Sequence, residues 1–81
     1  SIRDLKWVRP TVGALLDSSS VRQSARLLDI HHSTMQSRVE ILTDALGFDP
    51  LDGVGRARLG MAFLTWRMRH SRALELPPPN N

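Results

Sequence analysis

The sequence predicts an all-α fold, a small helical bundle of four to five helices containing a helix-turn-helix. Aliphatic side chains recur at intervals of three and four rather than two, and β-branched residues are scattered singly, so helices are favoured and no strand pattern emerges. The chain has 81 residues and no cysteine. One small domain, taken as residues 1–72, must therefore be held by helix packing, with neither a disulfide nor a thiolate metal cage.

A first helix is expected from about Asp4 to Asp17, interrupted by Pro10, so that Thr11 to Asp17 forms the helix proper. Val12, Leu15 and Leu16 supply its apolar stripe. Ser18, Ser19 and Ser20 end it and offer an N-cap to a second helix, Val21 to Leu28. Val21, Ala25 and Leu28 point inward there, while Arg22 and Arg26 share another face. Asp29-Ile30-His31 leaves room only for a tight turn, and Asp29 is suited to a left-handed conformation. Met35, Val39, Leu42 and Leu46 then fall on one stripe of a third helix, about His32 to Leu46, which Gly47 terminates.

Phe48 to Gly53 reads as a loop anchored inward by Phe48 and Leu51. A fourth helix is expected from about Val54 to Arg72. Leu59, Ala62, Phe63 and Trp66 lie on one side of it, with Met61, Leu64 and Met68 nearly opposite, so one side packs on the domain and the other calls for a second partner. Residues 73–81, with the run Pro77-Pro78-Pro79, lack periodicity and are expected to be extended or disordered.

The formal charge is +3 and unevenly spread. Up to Asp52, six cations against seven anions leave −1; from Gly53 onward, five arginines against Glu75 leave +4. Such a segment is either a phosphate footprint or a solvated helix face, and for Arg67, Arg69 and Arg72 the solvated face is preferred. No apolar run approaches the roughly 18 residues that cross a bilayer, and SIRDLKWVRP lacks the core of a signal peptide, so the chain is expected to be soluble and cytoplasmic. No nucleophile triad or carboxylate pair has room for a cleft, and His31, His32 and His70 lack a completing carboxylate. Neither an enzyme, a metal site nor a cofactor is expected.

Two short helices joined by a three-residue turn, with small Ala25 at the crossing and Ile30 and Met35 filling the wedge, carry the packing pattern of a DNA-binding helix-turn-helix. With the aliphatic stripe inward, the third helix turns Ser33, Gln36, Ser37, Glu40 and Asp44 outward, and His31 and His32 sit at its N-terminal end. Gln36 suits the adenine edge, and Ser33 and Ser37 suit several base edges. Glu40 and Asp44 are better read as solvated or paired with arginine. Phosphate contacts are expected from Arg22, Arg26, Arg38, Arg56 and Arg58, although for Arg38 an internal pair with Asp29 or Asp44 is an equal alternative.

From Ser20 to Arg72 the chain resembles the C-terminal helix-turn-helix domain of PucR-type bacterial transcriptional regulators, itself similar to the Fis-type motif. The resemblance is carried by SVRQSARLLDIHHSTMQSRVEIL and by the turn and long helix of LTDALGFDPLDGVGRARLGMAFLTWRMR. His31 and Thr34 stand where the family has an H-R-N-T run, and Arg38-Val39 match its following Arg-Leu. His32 replaces an Arg, Ser33 an Asn, Gln36 a common Arg and Ser37 a common Tyr. The resemblance implies base contacts from His31, His32, Ser33, Thr34, Gln36 and Ser37, double-stranded DNA as partner, and an upstream sensory domain in the full-length protein; a homodimer is expected because one such helix reads only a few base pairs. LysR-type winged domains share the LTDALG-like helix end, but they continue into a β-wing where this chain continues into a long helix. A helix-turn-helix docking or dimerisation module with little DNA affinity is the alternative reading.

Overall fold

Met35 has no exposed surface, and Ala25 and Leu42 beside it expose only 2% each. These side chains belong to the cluster Val12, Leu15, Ala25, Met35, Val39, Leu42 and Leu59, around which the chain folds. The computed structural model describes residues 5–75, with side chains for residues 5–69. Four helices follow in order: α1 (Val8–Leu16), α2 (Val21–Leu28), α3 (His32–Leu46) and α4 (Gly53–Glu75). There is no strand among the described residues.

Pro10 does not interrupt α1. It sits in the first turn, where the backbone N–H has no helical partner to lose, and Thr11 N–H closes that turn on the Trp7 carbonyl at 3.1 Å. Val12 and Leu15 are buried as expected, and Leu16 is half-buried. Thr11 and Ala14 are buried as well, so the inward face is wider than the aliphatic stripe.

The Phe48–Gly53 loop is anchored differently from the expectation. Leu51 is 39% exposed, and Pro50 takes the buried place beside half-buried Phe48. An Asx turn explains the geometry: Leu51 N–H donates to Asp49 Oδ1 at 2.8 Å, which tucks Pro50 under the chain and rolls Leu51 outward. α4 then begins so close to this loop that a Cβ on Gly55 would lie 1.8 Å from the Asp49 carbonyl oxygen.

α1 and α4 run antiparallel. Arg9 stacks over the Trp66 ring at 4.7 Å from its centroid, and at the other end Arg56 reaches the Leu16 carbonyl at 2.9 Å. The nine residues of α1 cover about 13 Å of an α4 that is about 34 Å long, so much of α4 stands clear of the bundle. The helix runs three residues past Arg72, making Ala73 to Glu75 helical rather than extended. Residues 76–81, the rest of the expected tail, lie outside the described residues.

Two glycines should separate in a thermal melt. Gly55→Ala must displace the Asp49 backbone and is expected to cost about 1–3 kcal/mol. Gly13→Ala places its Cβ at an ordinary 3.9 Å from Phe63 and should be neutral or stabilising by about 0.5–1 kcal/mol, as for a helix-interior glycine. Equal midpoints for the two variants would contradict the close approach of loop and helix.

Candidate nucleic-acid interface

The positions of α2 and α3 are set by their ends. Ser20 caps α2, its Oγ accepting from Gln23 N–H at 3.0 Å, while Gln23 Oε1 reaches back to Ser19 N–H at 2.9 Å and Ser19 Oγ at 3.0 Å. This is a capping box displaced by one residue. At the other end Asp29 adopts φ 56° and ψ 46°, the left-handed conformation expected of it. Asp29 N–H returns to the Arg26 carbonyl at 3.1 Å and Ile30 N–H to the Ala25 carbonyl at 3.0 Å, the two bonds of a Schellman motif. His31 begins α3 as its N-cap, Nδ1 accepting from Ser33 N–H at 3.2 Å, and Gly47 at φ 79° ends it.

Met35, Val39 and Leu42 are buried and Leu46 half-buried, so the stripe faces inward as the spacing requires. The opposite face carries Ser33, Thr34, Gln36, Ser37 and Glu40, all exposed. Some of its chemistry is already engaged. Ser33 Oγ lies 2.7 Å from His31 Nδ1, and Ser37 Oγ donates to the Ser33 carbonyl at 3.1 Å. Among the described residues, no hydrogen bond or ion pair engages the side chain of Gln36, which keeps its amide donors and carbonyl acceptor.

The N-terminal end of α3 is the centre of the surface. The rings of His31 and His32 pack 4.4 Å apart. Partial burial lowers the pKa of half-buried His32, and the Arg22 guanidinium and His31 push in the same direction. The side chains of Arg22 and Arg26 are exposed and carry no hydrogen bond or ion pair among the described residues.

The remaining arginines expected at phosphate are committed elsewhere. Arg38 is half-buried; its Nη1 donates to Thr11 Oγ1 at 3.0 Å, and its guanidinium lies 5.4 Å from the Trp7 ring centroid, so neither Asp29 nor Asp44 is its partner. Arg56 donates to the carbonyls of Leu16 and Ser18, joining the start of α4 to the end of α1. Arg58 lies 5.9 Å from the ring centroid of Phe48, beyond the C-terminal end of α3, and the 15 residues of that helix put this end about 22 Å from His32. Sequence reasoning gave Thr11 no role, although a polar residue inside an apolar stripe marks a buried acceptor. Arg67 and Arg69 are exposed, as expected of a solvated face, and the side chain of Arg72 lies outside the described residues.

A short helix, a capped left-handed turn and a second helix with a bare polar face are the parts of a helix-turn-helix. A family model for the PucR C-terminal helix-turn-helix domain matches residues 8–65, and the chain belongs to that family. The match begins earlier than the resemblance read from Ser20 and takes in all of α1, which closes the core over α2 and α3. No curated protein and no solved structure matches the chain. Domains of this family belong to DNA-binding transcriptional regulators. Among the described residues no group of three or more His, Cys, Asp or Glu is placed to hold a metal ion, and no helix is long and apolar enough to cross a membrane.

Arginine truncation should sort by structural commitment. Arg38→Ala and Arg56→Ala leave acceptors on buried or half-buried residues without their donors and are each expected to lose about 1–3 kcal/mol in chemical denaturation. Arg22→Ala and Arg26→Ala should stay within about 0.5 kcal/mol of the parent.

His32 adds a pH signature. Because folding lowers its pKa from 6.5, its contribution is undiminished above that value and declines as the pH falls below it, when the unfolded state takes the proton first. His32→Gln should flatten the stability–pH curve in that window, and a difference curve without slope there excludes the coupling to Arg22.

Proposed function

We propose that this chain is the DNA-binding domain of a bacterial transcriptional regulator, which inserts the N-terminal half of α3 into the major groove. Gln36 reads adenine through its paired donor and acceptor, with Thr34, Ser33, Ser37 and the two histidines contacting neighbouring edges. Arg22 and Arg26 hold the phosphates flanking the groove, while Arg58 lies too far along the molecule to join them. The protein works as a dimer in the cytoplasm, because one recognition helix reads only a few base pairs, and a sensory domain precedes it in the full-length regulator. The observation that carries this reading is the unengaged side-chain amide of Gln36 on the exposed face of α3, with the unengaged guanidinium of Arg22 exposed on α2 and no covering segment among the described residues.

The docking alternative keeps one observation in its favour, the exposed apolar side of α4. Fluorescence anisotropy against mixed-sequence duplex at two salt concentrations separates the readings. Two phosphate-binding arginines per protomer, four per dimer, give a log–log salt slope of roughly −3 to −4. No binding even at low salt leaves docking as the function.

Within the DNA reading, Gln36→Ala should flatten sequence preference by about 1–3 kcal/mol at a single base position. Arg22→Ala should weaken all duplexes alike and, by removing one contact from each protomer, reduce the salt slope of the dimer by about 2. Indistinguishable effects would refute the division of roles.

A further inference from the structure

One side of α4 has no neighbour among the described residues. Val54, Met61, Leu64 and Met68 are 65%, 68%, 54% and 55% exposed, and Ala57 between them is exposed as well. The intervals along Val54, Ala57, Met61, Leu64 and Met68 are three, four, three and four, the seam of a coiled coil. Leu27 and Ile41, the exposed aliphatics of α2 and α3, form no such row.

We infer that this seam pairs with the same seam of a second copy, the two α4 helices running antiparallel about a two-fold axis between Ala62 and Phe63. The inference builds on the dimeric reading above and names its surface. In that register Met61 faces Leu64 of the second copy, and Ala57 faces its Met68, each contact occurring twice by symmetry. Small then meets large along the seam, which fills it evenly.

Charge selects the direction. On one flank, Arg58 follows Ala57 and Thr65 follows Leu64; on the other, Gly60 precedes Met61 and Arg67 precedes Met68. An antiparallel pair reverses each flank upon itself, so Arg58 meets Thr65 of the second copy and Arg67 meets its Gly60. A parallel heptad pair sets position 67 against position 72, arginine at both. Arg58 and Arg67 also lean away from the seam, over Phe48 and Phe63 at 5.9 Å from each ring centroid. The closed two-fold is the symmetry that a pair of inverted half-sites requires of its reader.

The seam is short, about 21 Å from Val54 to Met68, so the free chain should be a weak dimer. Sedimentation of the 81-residue chain without DNA, from low micromolar to submillimolar concentration, is expected to pass from monomer to dimer. Met61→Glu with Leu64→Glu should abolish the dimer and leave helicity unchanged, since both side chains are exposed. The chain has no cysteine, so introduced thiols report direction. A mixture of the Ala57→Cys and Met68→Cys chains should form a mixed disulfide, with neither chain linking to itself. A monomer at every concentration, a dimer that survives the double glutamate variant, or self-linking of Ala57→Cys overturns the proposal. Self-association through α4 without duplex binding at low salt instead defeats the DNA reading and leaves this one standing.

Discussion

The burial of Met35 between α2 and α3 is the constraint on which the rest depends. A helix has only one face to bury here, and with Met35, Val39 and Leu42 turned inward, Ser33, Gln36, Ser37 and Glu40 have nowhere to go but out. Ala25 allows the close crossing because its side chain is small, and the left-handed Asp29 turns the chain without loosening it. The polar surface is therefore a by-product of core packing, held rigidly because the core is.

The arginines divide along the same line. Those whose guanidinium groups reach inward, Arg38 to Thr11 and Trp7 and Arg56 to two carbonyls, act as bolts between α1 and the later helices. Arg22 and Arg26 have no internal partner among the described residues and lie on the helix that precedes the polar face. A formal charge of +3 thus overstates the internal use of cations and understates how few remain beside α3.

What could be read in the sequence is what is decided within a few residues. The Ser20 cap, the Asp29 turn, the Gly47 stop and the Met35–Val39–Leu42 stripe all concern neighbours four or fewer positions away, and each was found where its chemistry placed it. The internal acceptors of Arg38 and Arg56 lie 27 and 40 residues away, distances over which spacing says nothing. Leu51 was misjudged because hydropathy cannot see the Asp49 turn that rolls it outward. Pro10 was read as a break when its place in the first helical turn made it harmless.

The Arg56 contact has a mechanical side. Its guanidinium spans the last carbonyl of α1 and the carbonyl of Ser18, two residues before the cap of α2. A load that tilts α4 is therefore delivered to the strap leading into the α2–α3 pair, and α4 cannot pivot freely unless that arginine lets go. A long arm clamped at its root transmits torque, whereas one joined only by a loop would swing idly.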